Sequence, residues 1–592
     1  MKKLLTGNEA VAQGAYEAGV VYAAAYPGTP STEILENIAQ FKGDIIAEWA
    51  PNEKVAFENA IGASLGGGRT LAAMKMVGVN VAADPLFSFA YSGVNGGMVL
   101  VSGDDPGCHS SQNEQDNRYY AKFAKVAMVE PSDSQEAKDM VKTALEISET
   151  FDTPVLFRMT TRVCHSKSIV TLGKRSEVIK KAYVKNPAKY DLVPAVAKKL
   201  RVNLEERLQT LQRYAEETPL NYIEWHSKKI GIISSGIAFQ YAKEVFGEDA
   251  SYLKLGFTYP LPLEKIRTFA AAVDTLYVVE ELEPYLEEQI KAAGIACIGK
   301  AKIPYTGELN PDIVAQALLG KRREMISYDA SVVVARPPVL CAGCPHRGFF
   351  YELGKRKNVA IMGDIGCYAL GGGDPLNAKD AANCMGSAPS VGHGLQKTFH
   401  YFGEDTRVIS TIGDSTFFHT GLMSLIDIVY NRSNTITCIL DNRITGMTGH
   451  QDHPGTGYTL QGMPTKALDI ASVVKAIGVD HVKTINPLRL DEVSEALDWA
   501  LALDEPSVII TRWPCVLKKA SPQDHEEFGD YLAKCKIDQA KCIGCKKCIK
   551  TGCPALRFDK AAKKSSIHAM QCVGCEVCAQ VCPVQAIAKE GK

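Results

Sequence analysis

Gly413-Asp414-Ser415 closes a β-branched apolar run, Val408-Ile409-Ser410-Thr411-Ile412, and Asp441-Asn442 closes a second, Thr435 to Leu440. With a helix-like segment between them, Gly421 to Tyr430, the stretch reads as a βαβ unit. Its parallel strands end side by side at the sheet edge where ligands bind, so Asp414 and Asn442 face one cavity. A carboxylate and an amide oxygen suit Mg²⁺ when phosphate, water and a backbone carbonyl supply its other ligands, and the pair reads as a metal-bridged diphosphate pocket. Asp and Asn are also ordinary turn residues, which is the plain conformational alternative. The second reactive set is sulfur. Of 18 cysteines, two runs crowd the C-terminus: Cys542, Cys545, Cys548 and Cys553, then Cys572, Cys575, Cys578 and Cys582. Such crowding points to metal in a reducing compartment and not to disulfides.

The elements that must position these groups belong to a long chain. At 592 residues and 46% apolar content it is several domains with sizeable cores. A net charge of −1, from 66 basic and 67 acidic residues, argues against nucleic acid or a membrane surface as partner and leaves small molecules and proteins. No apolar segment follows Lys2-Lys3-Leu4-Leu5, and no uncharged run approaches the ~18 residues of a membrane helix. A soluble, cytoplasmic protein is expected. Strands alternate with helices over 1–173, the signature of an α/β layer fold. A charged helical linker is expected over 174–228, with Leu204, Leu208 and Leu211 on one face, and alternation returns over 229–325. After Arg336-Pro337-Pro338 comes the 330–525 segment that holds Asp414, and the cysteine-rich tail occupies 530–592.

Tyr26-Pro27-Gly28-Thr29-Pro30, and Glu53 followed by Gly62-Ala63, resemble the pyrimidine-binding domain of the 2-oxoacid:ferredoxin oxidoreductases. Gly413-Asp414-Ser415 leading to Asn442 resembles the thiamine diphosphate motif, Ser415 standing for its usual second glycine. The resemblance implies two doubly wound thiamine diphosphate-binding domains, 1–173 for the pyrimidine and 330–525 for the diphosphate, with a transketolase C-terminal-like domain at 229–325. It makes Asp414, Asn442 and the Ile444 carbonyl ligands of Mg²⁺, and Glu53 the acid at N1′ of the aminopyrimidine. Such an acid favours the imino tautomer that takes the reactive proton. A helix-terminal acid or a surface charge are the plain readings of Glu53, and Glu48 competes for the role. Ser31 or Thr32 is expected to cap the helix after Thr29. Thr29 corresponds to the residue that holds the 2-oxoacid carboxylate, and His109 and Arg118, in the polar loop 104–118, are candidates for placing the keto acid.

The two cysteine runs resemble a bacterial ferredoxin with two [4Fe-4S] clusters, in which the fourth cysteine of each run serves the other cluster. One cluster then takes Cys542, Cys545, Cys548 and Cys582, the other Cys572, Cys575, Cys578 and Cys553. The first run departs from the pattern by one residue inserted before Cys553, which leaves its loop shape open. Zinc is the alternative, though it needs only four ligands. Cys341, Cys344, Cys367 and Cys515 match the ligands of a third, proximal cluster, with Cys438 and Cys535 as spares. Over nearly the whole chain the resemblance is to the α subunits of indolepyruvate:ferredoxin oxidoreductases. It implies CoA-dependent oxidation of arylpyruvates, a smaller β subunit, and ferredoxin as acceptor. The alternatives are another 2-oxoacid substrate, or an electron-transfer subunit with a vestigial thiamine diphosphate fold.

Overall fold

The computed structural model describes residues 1–178, 180–321, 326–529 and 533–590. The expected domain limits at 325, 530 and 592 lie outside the described residues. The chain forms two compact units, Met1–Tyr328 with Leu460–Gly462, and Asp329–Thr459 with Met463–Lys592.

The first unit is built on a seven-stranded sheet in the order Phe257–Tyr259, Ala127–Val129, Val155–Thr160, Met98–Asp104, Thr70–Lys75, Tyr22–Ala25, Ile46–Trp49. Its neighbours are parallel except at the Phe257–Tyr259 edge. Met98–Asp104 is buried along its whole length, as a parallel strand covered on both faces must be, and its first four residues, Met98-Val99-Leu100-Val101, are accordingly all apolar. Helices Gly7–Glu17 and Ser134–Phe151 contribute to one core and helices Glu53–Leu65 and Ala83–Ser92 to another, the doubly wound arrangement. A second, four-stranded sheet runs Thr275–Val279, Ile230–Ser235, Ser251–Leu255, Asn221–Glu224. The expected linker holds helix Pro194–Glu217 with Leu204 and Leu211 buried. It then ends in Asn221–Glu224, which pairs antiparallel with Ser251–Leu255, so the four-stranded layer begins earlier in the chain than 229. Strand Phe257–Tyr259, from that same segment, crosses to the seven-stranded sheet and interlocks the two layers.

The second unit holds a five-stranded, all-parallel sheet in the order Val359–Met362, Arg407–Gly413, Ile436–Asp441, Ser507–Arg512, His481–Ile485. Gly413 is level with Leu440, and Asp441 with Arg512, so three strands deliver their C-terminal residues to one edge. The helix expected from Gly421 starts earlier: Asp414–Thr416 is already helical, a π-helical turn spans Phe417–Gly421, and Leu422–Tyr430 follows. The extra residue in the π turn re-aims the helix start, a feature common at functional sites. The tail adds two antiparallel pairs, Cys535–Ile537 with Ile587–Lys589 and Leu556–Asp559 with Lys564–Ile567. Among the described residues no helix is long and apolar enough to cross a membrane.

Candidate active site

Asp414 and Asn442 lie where the strand ends converge, 3% and 7% exposed. One Asp414 oxygen accepts the Ser415 N–H at 2.9 Å and the other meets His453 Nε2 at 3.0 Å. Burial pushes the Asp414 carboxyl up, but the charge and hydrogen bond of His453 outweigh it and hold the group below the usual range. Burial, then the charge of Asp414, raises Asp441, which receives Arg512 at 2.6 Å. The site thus pairs a carboxyl held in its ionised form at Asp414 with a neighbour, Asp441, that is harder to ionise. Asn442 Oδ1 accepts the Ile444 N–H at 3.2 Å, and its amide nitrogen lies 3.4 Å from His346 Nε2. Thr445 donates to the Ser415 hydroxyl at 2.9 Å, so the 414–415 and 442–445 turns touch. Arg443, at φ 60°, anchors the second turn by its guanidinium on Asp524 at 2.8 Å. One carboxylate, one amide oxygen and one carbonyl make a hard-ion donor set that leaves the other half of an octahedral shell to phosphate and water, which fits Mg²⁺. A Cβ on Gly413 would stand 2.5 Å from the Tyr368 ring, so glycine there lets the ring pack against the strand end. Asp364 accepts the Gly386 and Ala388 N–H groups at 2.7 and 2.8 Å and holds the start of helix Ala388–Phe402 in place. Spacing in the sequence does not tie His453, His346 or Asp364 to Asp414, whereas Asp441 is legible there as a strand end but not as a buried carboxyl raised by Asp414.

In the first unit Glu53 is the first residue of its helix, behind an Asn52 cap, and is buried, 5% exposed. Gly78 makes room for it: a Cβ there would stand 2.6 Å from Glu53 Cγ and 2.8 Å from Oε1. Glu48 is exposed and takes the Tyr22 hydroxyl at 2.7 Å, a surface role. Thr29 is half-buried. Ser31 sits at the cap position of helix Thr32–Ile38 without a side-chain cap bond, and its hydroxyl donates instead to the Gly28 carbonyl at 3.1 Å. The expected cap is therefore corrected: the hydroxyl closes the loop before the helix. Arg118 is corrected too. It is 1% exposed and bound to Asp116, Glu280 and the carbonyls of Glu281 and Glu283, so it ties the polar loop to the four-stranded layer and has no reach left for a keto acid. His109 stays half-exposed, 3.2 Å from Glu308, which Arg162 also holds.

All 18 cysteines are free thiols. Cys542, Cys545, Cys548 and Cys582 line one small hollow partly open to solvent and walled by Ile537, Val584 and Ile587. Four sulfurs around an apolar hollow fit a [4Fe-4S] cluster, and the grouping is the crossed one expected from the runs. Cys575 and Cys578 share electrostatic contact with Cys553, and Cys575 also with Cys572. Cys535, expected as a spare for the proximal set, is instead hydrogen-bonded to the Cys578 side chain and donates its N–H to Cys572 Sγ at 3.4 Å. Cys438 is buried in a core strand. Neither serves the proximal set. Burial raises Cys344 to about 12 and Cys367 to about 11. Cys515 and Cys367 add to the first shift, and Cys515 and Cys341 to the second. Asp414 adds to both Cys367 and Cys515, so these four thiols and the carboxylate occupy one neighbourhood. A Cβ on Gly446 would lie 3.6 Å from Asn442 Nδ2 and 3.7 Å from Cys367 Sγ. Among the described residues no three His, Cys, Asp or Glu side chains close on a single-ion site; a cluster of irons and sulfides spreads its ligands wider than one ion does.

Residues 13–221 match the family described as pyruvate flavodoxin/ferredoxin oxidoreductase, thiamine diP-binding. Residues 364–511 match the C-terminal TPP-binding domain of thiamine pyrophosphate enzymes, and 541–586 a 4Fe-4S dicluster domain. Indolepyruvate oxidoreductase subunit IorA of Archaeoglobus fulgidus is 42% identical, covering 99% of this chain and 97% of its own. The protein of the same name from Pyrococcus horikoshii is 39% identical with the same coverage. A solved 2-oxoglutarate:ferredoxin oxidoreductase from Magnetococcus marinus aligns over 54% of this chain and 65% of its own at 17% identity and a TM-score of 0.46, too remote to carry weight. The thiamine diphosphate folds, the dicluster tail and relatives matched from end to end agree: the chain belongs to the indolepyruvate:ferredoxin oxidoreductase α-subunit family, enzymes that couple thiamine diphosphate-dependent 2-oxoacid oxidation to iron–sulfur electron transfer.

Proposed function

We propose that this chain, with a smaller β subunit, converts arylpyruvates of the indolepyruvate and phenylpyruvate type and CoA to the aryl-acyl-CoA and CO₂, passing electrons to ferredoxin. The oxidative part is carried by the approach of Cys367 to Asn442 across Gly446, whose Cβ would lie 3.7 Å from Cys367 Sγ and 3.6 Å from Asn442 Nδ2, since single-electron oxidation needs a cluster beside the reacting cofactor; the arylpyruvate class follows the printed names of the relatives. When bound, thiamine diphosphate supplies the carbanion-stabilising chemistry of decarboxylation. Asp414, Asn442 and the Ile444 carbonyl hold Mg²⁺ against the diphosphate, with Gly413 and Ser415 shaping the turn. Glu53 holds the proton at N1′ of the pyrimidine, its burial keeping water from competing for that hydrogen bond. Thr29 takes the keto-acid carboxylate, and His109, on the polar loop, helps place the substrate. The four thiols near Asp414 hold a proximal [4Fe-4S] cluster, and the tail holds two more in the crossed pairing. The domain extents are those read from the sequence, except that the third begins with the strand at Asn221. Free thiols throughout suit the reducing cytoplasm.

The test is anaerobic viologen reduction with thiamine diphosphate, Mg²⁺, CoA and the β subunit, comparing indolepyruvate, phenylpyruvate and pyruvate. Arylpyruvates should give the highest kcat/KM. Preference for pyruvate would overturn the substrate class, and aldehyde release without dye reduction would overturn the oxidative reading.

A further inference from the structure

Arg347 is 2% exposed at the start of helix His346–Leu353. Its guanidinium donates to the carbonyls of Leu340 and Cys341 on one side, the latter at 2.9 Å, and to the Thr551 carbonyl at 3.0 Å on the other. Among the described residues it has no carboxylate within ion-pair reach, and its Nε has no hydrogen-bond partner. A buried cation with only carbonyls around it is costly, so a negative charge is missing from its surroundings.

Its position says where that charge belongs. On one side stands the Cys341-Ala342-Gly343-Cys344 loop. On the other is the turn Ile549–Thr551, which leads through Gly552 to Cys553. The residue inserted before Cys553 acquires a purpose here: Gly552, at φ 69°, reverses the chain after Thr551 so that the Thr551 carbonyl meets Arg347. A Cβ on Gly552 would lie 3.2 Å from Arg347 Nη1. The same two regions press together a second time, since a Cβ on Gly343 would stand 2.0 Å from Val573, next to Cys572.

We propose that Arg347 is a positioning residue and shared counter-cation for the two thiolate clusters on either side of it, the proximal one at Cys341 and Cys344 and the one that includes Cys553. Four thiolates around a [4Fe-4S] core leave a net negative charge that grows by one on reduction, and net charge is among the terms that set cluster potential. A fixed buried cation therefore favours the reduced state of both neighbours and holds their loops at constant separation. The inference rests on the cluster assignments proposed above, and iron analysis tests those separately.

The experiment is potentiometric titration, followed by electron paramagnetic resonance, of the intact chain with its β subunit, as wild type, Arg347→Gln and Arg347→Lys, each assayed for iron. With iron retained, the Gln variant should show at least one cluster whose reduced-to-oxidised ratio at fixed solution potential falls about tenfold, ~59 mV for one electron. The Lys variant, which keeps the charge but cannot span three carbonyls, should restore the ratio while still slowing dye reduction. Unchanged potentials in an iron-replete Gln variant would overturn the proposal. So would a Lys variant that titrates like Gln, or loss of iron in both variants, which would make Arg347 a purely structural bolt. Wild-type protein without clusters would instead overturn the assignments beneath it.

Discussion

Gly78→Ala probes the Glu53 assignment without touching the acid. The new methyl would sit 2.6 Å from Glu53 Cγ, where ordinary contact begins near 3.4 Å, so the carboxyl arm must retreat by about 0.8 Å. A misplacement of about 1 Å at a reacting centre costs about 10²-fold in rate, or about 2.7 kcal/mol of barrier. Stability should move much less: alanine gains about 1 kcal/mol over glycine in a helix, against about 1 to 3 kcal/mol for overpacking. Arylpyruvate-dependent viologen reduction, measured beside iron content and thiamine diphosphate retention on the same preparation, should show a fall of about 10²-fold with both cofactors in place. Glu53→Gln should nearly abolish turnover, and adding Gly78→Ala to it should cost little more, because both act on one hydrogen bond. Wild-type turnover in Gly78→Ala would refute the claim that the Glu53 carboxyl must sit where it does.

Asp414→Ala should weaken thiamine diphosphate retention at limiting Mg²⁺, read by equilibrium dialysis; unchanged affinity would remove Asp414 from the metal site. Wild type should carry about twelve irons per chain and Cys515→Ser about eight, as the four-iron increment of a third cluster requires; about eight in both would leave only the tail clusters. Burial raises the Glu281 carboxyl to about 7 from its ordinary 4.5, with Arg158 opposing and the Leu309 N–H also bonded to it. The folded chain then holds a proton that the unfolded chain has lost between those values, so this group's stabilisation is complete below about 4.5 and lost as pH rises through about 7. Glu281→Gln should flatten that dependence and raise the unfolding temperature at pH 8, the size of the shift corresponding to up to about 3 kcal/mol of stability. An unaltered pH profile by differential scanning calorimetry would count against the buried neutral acid.

Local chemistry made much of this protein legible before any fold was known. Asp414 and Asn442 close two adjacent strands, and strand ends in a parallel sheet must line up, so their convergence follows from hydrogen-bond register alone. The three closely spaced cysteines of each run are equally local, whereas the exchange of the fourth cysteine between runs came only from the resemblance to a bacterial ferredoxin. What remained hidden depends on contacts between residues far apart in the chain. His453 reaches Asp414 from a loop with no periodic signal, and Arg118 looked like a substrate ligand until Glu280, in another layer, was seen to occupy it. Cys535 seemed free to serve the proximal set, but its strand pairs with the last strand of the tail and carries it to Cys578. The one-residue insertion before Cys553 looked like a blemish in a motif; only packing against Arg347 gave it a partner. Sequence alone determined which atoms could do the chemistry, because residue type and near spacing set ligand and acid–base capacity. Tertiary structure decided which of those atoms are available, because burial and long-range ion pairing either expose a charged group to its ligand or consume it.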